Sequence, residues 1–258
     1  MRLITITSDF GLKDPYLAII KGQLFSQLPD VSIVDISNGV DKHNIPEAAY
    51  ILKNSYKNFP PKTVHLVSIG VRSLDMDYLI VKHADQYFIG LDSGLFSLVF
   101  ENQPILAYRV NLSAPPELSS FPEKSVLIQA ASHLARGGVP EIISEPVQSL
   151  RTMISYAPVI QQNAIRASVV YIDSYGNVVT NLTKELFHKH AMGRNIEISF
   201  RKHREKVTTI SRNYSDVDGG ETVALFNSNG HLEIAFLLGK ASGLLGIQLN
   251  DTISIDFI

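Results

Sequence analysis

The first half of the chain alternates short apolar runs with segments of helical periodicity. Residues 2–7, "RLITIT", are rich in apolar and β-branched side chains, as a buried strand would be. Asp14 and Pro15 then precede a segment with apolar residues at helical spacing. This pattern predicts a helix with Asp14 as its N-cap and Pro15 at the first helical position. The apolar positions of that helix are Leu17, Ile20, Leu24 and Leu28.

The same alternation continues along the N-terminal half. The run "VSIVDI" predicts a second strand, and residues 45–59 predict a second helix that leads to a strand ending in "KTVHLV". Residues 77–91 predict two strands with a polar turn between them. Strands and helices that alternate in this way form parallel sheets. We therefore predict an N-terminal α/β domain with a largely parallel sheet and flanking helices.

The pattern changes after about residue 145. Residues 145–163 carry two prolines and no helical stripe, which is typical of a linker. Short β-rich runs separated by Gly, Asn and Asp turns follow, and they predict an all-β, barrel-like domain. These runs are "ASVVYID", "NIEISF", "KVTTIS", "TVALFN", "LEIAFL" and "TISIDFI". The predicted organisation is an α/β domain over 1–150, a linker over 151–164 and a β domain over 165–258.

Composition narrows the possible partners. The 258 residues carry a formal net charge of −2, so no overall field attracts nucleic acid or an anionic membrane. The basic run at 201–206 is typical of a solvated strand edge. The chain has no cysteine, which excludes disulfides and thiolate chemistry. No export or membrane segment is evident. We expect a cytoplasmic protein with a small-molecule ligand, no metal and no cofactor.

The first polar cluster follows the first predicted strand. Asp9 lies at the carboxyl end of that strand, and Asp14 opens the next helix. An acid there can accept hydrogen bonds from a ribose diol, while the helix N-terminus offers free N–H groups. The alternative is that Asp9 caps a turn and Asp14 caps the helix. No Gly-rich phosphate motif follows, which argues against a dinucleotide or triphosphate ligand.

Two further clusters lie in the C-terminal half. In "YIDSYGNVVTN", Asp173 leaves a strand, Gly176 permits a tight turn, and Asn177 places an amide beside it. A carboxylate and an amide at this spacing could bind an ammonium group and a purine edge. The alternative is a hairpin stabilised by its own Asp and Asn side chains. In "LFNSNGHLEIAF", Asn227 and Ser228 form another turn between strands.

Four motifs together resemble a known family. They are "TSDFGLKDPYLAIIKG", "SSFPEKSVLIQAASHLARG", "IDSYGNVVTN" and "NSNGHLEIAF". Their order and spacing are similar to those of the S-adenosyl-L-methionine (SAM) hydroxide adenosyltransferases, relatives of the fluorinase and chlorinase enzymes. The resemblance covers essentially the whole chain. It implies an α/β domain, a β domain, SAM as substrate or ligand, and a homotrimer whose active sites lie between subunits.

The resemblance also implies roles for individual residues. Asp9 would hold the ribose hydroxyls of the nucleoside. Asp173 and Ser228 would hold the methionine amino-acid group, and Asn177 would face the adenine with Tyr175 close by.

Two further positions correspond less directly to the substrate-binding residues of the family. Asp14 would contact the substrate-binding residues and not the substrate itself. Asn229 stands where the fluorinase has an arginine near the substrate carboxylate, so the amino-acid end would be held less firmly.

The catalytic positions depart from the family pattern. The loop "LVSIGVRSLD" resembles the family's "VDPGVGxxR", but the Asp and Arg positions hold Ser68 and Asp75. The His of the family's "FHGRD" corresponds to Pro122. Arg72 is a candidate replacement for the missing groups. The resemblance therefore implies slow hydrolysis of SAM to adenosine and L-methionine by attack at C5′. The alternative is a nucleoside-binding protein that has lost or changed its chemistry.

Overall fold

A computed structural model describes residues 2–70, 76–101, 103–118, 120–154, 157–200 and 203–258. The chain divides into two compact units, Met1–Ile154 and Ser155–Ile258. Each unit has its own hydrophobic core. No helix within the described ranges combines the length and apolar character needed to cross a bilayer.

The first unit is an α/β structure, as predicted. Its strands are β1 (Arg2–Ser8), β2 (Val31–Ser37), β3 (Val64–Ser68), β4 (Tyr78–His83), β5 (Gln86–Leu91), β6 (Leu106–Val110) and β7 (Ser144–Pro146). Its α-helices are α1 (Tyr16–Gln27), α2 (Ile45–Ser55), α3 (Leu95–Phe100) and α4 (Val126–Ala135). Single 3₁₀ turns occur at Tyr56–Asn58, Pro116–Leu118, Pro122–Lys124 and Pro140–Ile142.

The strands of the first unit form one mixed sheet in the order β2-β1-β3-β5-β4-β6-β7. The pairs β1–β2, β1–β3 and β3–β5 are parallel, and the other three pairs are antiparallel. The predicted parallel arrangement is confirmed for the first half of the sheet. It ends at the turn of Ala84 and Asp85, which both have positive φ and form the two-residue hairpin that separates β4 from β5.

Helices cover both faces of this sheet. Ile4 and Ile6 of β1 pack in a core with α1 and α4, whereas Val67 of β3 packs in a second core with α2 and α3. Successive strand residues point to opposite faces, so β3 places Leu66 in the first core and Val67 in the second. The helix that follows β1 therefore lies on one face, and the helix that follows β2 lies on the other.

The start of α1 differs from the sequence prediction. The helix begins at Tyr16, its N-cap is Pro15, and no side chain caps it. The prediction that Asp14 is the N-cap was wrong by one residue. The reason is that Pro15 already has helical dihedral angles, and its carbonyl accepts the first helical hydrogen bond from Ile19 at 2.9 Å.

The second unit is built on one antiparallel, barrel-like sheet. Its strands are β8 (Val159–Gln161), β9 (Ala164–Ile172), β10 (Val178–Thr183), β11 (Ile196–Phe200), β12 (His203–Val207), β13 (Thr222–Phe226), β14 (His231–Phe236) and β15 (Thr252–Phe257). The order is β12-β11-β15-β9-β10-β14-β13, with β8 paired to β9. Two short helices, α5 (Lys184–Ala191) and α6 (Ala241–Leu244), accompany it.

Three details of the second unit depart from the sequence prediction. The unit is not purely β, because it contains the helix α5. Thr183 caps this helix by accepting a hydrogen bond from the Leu186 backbone N–H at 3.3 Å. The strand predicted from "KVTTIS" lies earlier, at His203–Val207. Strand β8 and the first residue of β9 fall inside the stretch predicted as a linker.

A buried histidine links β1 and β3 in the first unit. The Nδ1 atom of His65 lies 2.7 Å from Thr5 Oγ1, and its Nε2 atom lies 3.2 Å from Gln86 Oε1. The ring also stacks on Phe88 at 4.5 Å. Burial lowers the pKa of His65 to about 4, from an ordinary value of 6.5.

We predict that this histidine makes the free energy of unfolding depend on pH. Between pH 6.5 and about 4 the unfolded chain binds a proton that the folded chain does not, so stability falls as the pH falls. The loss attributable to His65 is about 3 kcal/mol. Urea unfolding of the wild type and of His65→Asn across this pH range measures it. An identical pH dependence in both proteins would contradict the prediction.

Candidate active site

The topology of the first sheet creates a crevice at one edge. From β1 the chain passes to β2 on one side and then returns to β3 on the other side of β1. Ligands of open α/β sheets bind outside the carboxyl ends of the strands at such a reversal. Asp9 follows the last residue of β1, so it lies at this point.

The carboxylate of Asp9 is held by the loops around it. Only 6 % of the residue is exposed. Its Oδ2 atom accepts hydrogen bonds from the backbone N–H groups of His43 at 2.9 Å and Gly70 at 3.1 Å. Its Oδ1 atom accepts none from any residue that the structure describes. One oxygen therefore caps the turns, as the first alternative expected, while the other is available to a ligand.

The backbone of Asp9 is fixed as well. Its N–H group donates to the carbonyl of Ser68 at 3.3 Å, and the ammonium group of Lys42 donates to its carbonyl oxygen. Nearby, the Ser8 hydroxyl donates to the side-chain oxygen of Asn38 at 2.7 Å. These contacts join the ends of β1, β2 and β3.

His43 is a member of this site that the sequence pattern did not indicate. Its Nδ1 atom lies 3.8 Å from Asp9 Oδ2, and 62 % of its side chain is exposed. Its backbone has a φ of +62°, a left-handed conformation that is uncommon outside glycine. The informative signal was the position of His43 in the loop after the second parallel strand.

The structure describes two of the three positions at which the resemblance implies substituted catalytic residues. Ser68 ends β3 directly opposite Ser8 in the parallel register, and it is buried. Pro122 begins a 3₁₀ turn, and the adjacent Phe121 packs edge to face on Phe10 at 5.8 Å. The third position, Asp75, and the candidate replacement Arg72 lie outside the described residues.

These positions offer little acid–base chemistry. Proline has no ionisable group, and a serine hydroxyl is a weak base unless another base activates it. The neighbouring Glu123 is buried, and its Oε1 atom accepts a hydrogen bond from the Tyr78 hydroxyl at 3.1 Å. Asp14 is exposed on the loop before α1. Within the described part of the chain, no three His, Asp or Glu side chains meet as a metal site would require.

The second cluster is a tight turn between β9 and β10. Asp173 Oδ1 accepts hydrogen bonds from the backbone N–H groups of Tyr175 at 3.0 Å and Asn177 at 2.8 Å. Its Oδ2 atom accepts one from the Asn177 side-chain amide at 3.1 Å. Asp173 and Asn177 therefore fix each other, and the Tyr175 side chain is left 76 % exposed.

Gly176 is required by the geometry of this turn. Its φ is +82°, and a Cβ atom at this position would lie 2.8 Å from Lys240 Cβ. Its carbonyl also accepts a hydrogen bond from the Ser242 N–H at 2.9 Å. The turn is thus anchored to the segment that contains α6.

The third cluster surrounds a buried carboxylate. Glu233 accepts hydrogen bonds from the Tyr214 hydroxyl at 2.7 Å and from the Asn227 amide at 3.0 Å. Asn227 Oδ1 accepts one from the Asn229 N–H at 3.0 Å. Ser228 is exposed at the tip of this turn. The sequence pattern did not indicate Glu233, because it reads as an ordinary outward position in a strand.

The two turns of the second unit lie apart. Strands β10 and β14 are antiparallel, with Val178 opposite Ile234 and Thr183 opposite His231. The Asp173 turn precedes β10, and the Ser228 turn precedes β14, so the turns lie at opposite ends of the pair. At about 3.3 Å per residue the separation is roughly 15 Å. The structure thus brings Asp173, Tyr175 and Asn177 together, but not Asp173 and Ser228.

Comparisons with known proteins cover nearly the whole chain. Residues 4–144 match the family model of the SAM hydroxide adenosyltransferase N-terminal domain, and residues 167–254 match that of the C-terminal domain. An (R)-S-adenosyl-L-methionine hydrolase of Methanocaldococcus jannaschii is 29% identical over 99% of this chain and 96% of its own length. The hydrolase of the same name from Thermus thermophilus is 27% identical over 96% of this chain and 97% of its own.

A solved structure shows the same fold. The crystal structure of an uncharacterized conserved protein from Thermotoga maritima superposes with a TM-score of 0.86 at 27% identity. The match covers 98% of this chain and 99% of that chain.

The turn geometry predicts a large effect of Gly176→Ala. The added methyl group meets both an unfavourable φ and the Lys240 side chain. The matched control is Gly193→Ala, because Gly193 has a φ of +78° but open space around its Cβ position. We expect the control to lower the free energy of unfolding by about 1 kcal/mol, and Gly176→Ala by about 1–3 kcal/mol more. Denaturant titration measures both variants, and equal losses would contradict the prediction.

Proposed function

Because the chain belongs to the SAM hydroxide adenosyltransferase family, we propose that it hydrolyses SAM to adenosine and L-methionine. Water attacks C5′ of the ribose, and methionine leaves from the sulfonium. The observation that carries this proposal is the Asp9 carboxylate at the topological reversal, with Oδ1 available for the ribose hydroxyls. A protein that bound the nucleoside without turning it over is not favoured, because the two relatives with the highest identities given above are both named hydrolases.

The main requirement that this reaction places on the protein is to position the substrate and the water. The sulfonium is a good leaving group, and methionine departs as a neutral thioether, so no general acid is needed. No cofactor takes part, since SAM is itself the substrate. When the protein holds the water in line with the C5′–S bond, the bimolecular reaction of water with SAM becomes effectively unimolecular, which lowers its barrier. Ser68 and Pro122 cannot activate that water, so we propose an enzyme slower than one that keeps the Asp, Arg and His of the family pattern.

The remaining binding roles follow the family pattern. Asn177 faces the adenine and Tyr175 lies beside it. Their support is the turn that fixes the Asn177 amide and exposes the Tyr175 ring. Asp173 holds the ammonium group of the amino acid, whereas the Ser228 turn of the same chain lies at the opposite end of β10 and β14 and does not share that contact. Asp173 accepts three hydrogen bonds from its own turn, so Oδ2 keeps capacity for an ammonium group. Asp14 supports the loop after Asp9.

A homotrimer with active sites between subunits is part of the proposal. Large apolar side chains next to the proposed binding loops are largely exposed in a single chain. They include Leu12, Tyr175 and Leu238. Association would cover such side chains and remove their apolar surface from water.

Hydrolysis is tested by following adenosine and methionine by chromatography after SAM is added to the purified chain. We expect the two products in equal amounts over hours. Asp9→Ala should weaken adenosine binding by about 1.5–3 kcal/mol, because the ribose hydroxyls lose a charged acceptor. Calorimetry measures this, with Asp35→Ala as the control. Asp35 is an aspartate of β2 whose side chain forms a surface ion pair with Lys21.

Two results would contradict the proposed function or the proposed role of Asp9. If neither SAM nor adenosine binds at millimolar concentration, the polar clusters are structural turns and the proposed function is wrong. If Asp9→Ala and Asp35→Ala bind adenosine equally well, the ribose is not held by Asp9.

The proposed assembly is tested by light scattering over a dilution series. We expect a molar mass three times the 28.5 kDa of one chain down to micromolar concentrations. The physical reason is the exposed apolar surface, which is more stable when it is covered. A monomer at micromolar concentration would contradict the trimer.

A further inference from the structure

The imidazole of His43 stands beside the Asp9 carboxylate at the edge of the sheet where we place the ribose. Its Nδ1 atom is 3.8 Å from Asp9 Oδ2, which is an ion-pair distance but too long for a hydrogen bond. The ring is mostly exposed, whereas the carboxylate is buried. A histidine oriented by a buried carboxylate is the arrangement by which proteins prepare a base.

The backbone of His43 is held in place by the same carboxylate. Its N–H group donates to Asp9 Oδ2 at 2.9 Å, and the Gly70 N–H donates to the same oxygen. A Cβ atom on Gly70 would lie 3.7 Å from His43 Nδ1, so the ring also lies against the loop after β3. His43 adopts its left-handed φ in spite of the cost to a non-glycine residue. The loop therefore places this ring at the crevice.

Among the residues that the structure describes at this edge, the other polar groups are less suited to accept a proton. Ser68 offers only a hydroxyl, and Lys42 is an ammonium group whose Nζ atom contacts the Asp9 carbonyl oxygen. Glu123 is buried and accepts a hydrogen bond from Tyr78. Imidazole is the side chain whose ordinary protonation range suits proton transfer near neutral pH.

We infer that His43 is the base that activates the attacking water in the proposed hydrolysis, and this inference rests on that proposed function. Asp9 Oδ2 orients the Nδ1–H group, so Nε2 is the atom left to accept a proton. The water oxygen forms a bond to C5′ as the C5′–S bond breaks. The electron pair of that bond leaves with methionine sulfur, and the water proton passes to Nε2. The products are adenosine, L-methionine and one proton released on turnover.

Asp9 can hold both the His43 loop and the ribose, because each of its two carboxylate oxygens serves one of them. Oδ2 serves the His43 loop, and Oδ1 serves the ribose. The same carboxylate thus sets the position of the sugar and of the base. The 3.8 Å separation is expected to shorten in the substrate complex, since catalytic hydrogen bonds are often long in ligand-free structures.

Two substitutions test His43 without disturbing the loop. Asparagine and glycine both tolerate a left-handed φ, so His43→Asn and His43→Gly keep the backbone N–H on Asp9. Asparagine keeps a polar group at this position but cannot take a proton at neutral pH. We expect each variant to lower the turnover rate at saturating SAM by about 10²- to 10⁴-fold. Adenosine affinity should stay at the wild-type value, and added imidazole should restore part of the His43→Gly rate.

The matched control is His83→Gln. His83 ends β4 beside the hairpin turn, at the opposite edge of the same sheet from the crevice. Its Nδ1 atom contacts the Pro104 carbonyl at 2.9 Å, a contact that a glutamine amide can replace. We expect His83→Gln to turn over SAM at the wild-type rate.

Each outcome decides between distinct conclusions. If the wild type hydrolyses SAM and His43→Asn does so at the same rate, His43 is not the base and the proposed function stands. If turnover and adenosine affinity fall by the same factor and imidazole restores nothing, His43 has a structural role and the inference is wrong. If the wild type yields no adenosine, the proposed function fails and the inference fails with it.

Discussion

The Oδ2 atom of Asp9 accepts backbone hydrogen bonds from His43 and Gly70, and these bonds connect the loops that follow three neighbouring parallel strands. The loops after β2 and β3 take their positions from this buried oxygen. Helices α1 and α2 lie on opposite faces of the sheet, so a crevice opens where the strand order reverses. The fold and the candidate chemistry thus depend on one carboxylate that serves both.

This arrangement bears on the proposed hydrolysis, for which the resemblance implies substituted catalytic positions. The Ser68 carbonyl accepts a hydrogen bond from the Asp9 N–H, but neither Ser68 nor Pro122 supplies a base. His43 lies in the loop after β2, and its ring is near the same Asp9 carboxylate. Binding and positioning contribute to the rate even without a base, since a held substrate needs only a correctly placed water. The family reaction is therefore compatible with a different source of base.

Much of the fold was predictable from periodicity, but the site was only partly so. The apolar run of β1 ends at Asp9, so its place at the sheet edge follows from the strand pattern. The role of His43 does not, because it depends on the path of a loop with a left-handed residue, and no periodicity encodes that path. Helix α5 has only eight residues, too few for a clear helical stripe among strands. The separation of Asp173 from Ser228 follows from strand register, which spacing in sequence does not determine.

The most direct test of this account is a crystal structure with adenosine bound. We expect a ribose hydroxyl within hydrogen-bonding distance of Asp9 Oδ1, about 2.5–3.0 Å. The His43 and Gly70 N–H groups should remain hydrogen-bonded to Oδ2, and the His43 ring should lie beside the ribose. Adenosine bound elsewhere, with no contact to Asp9, would contradict the account.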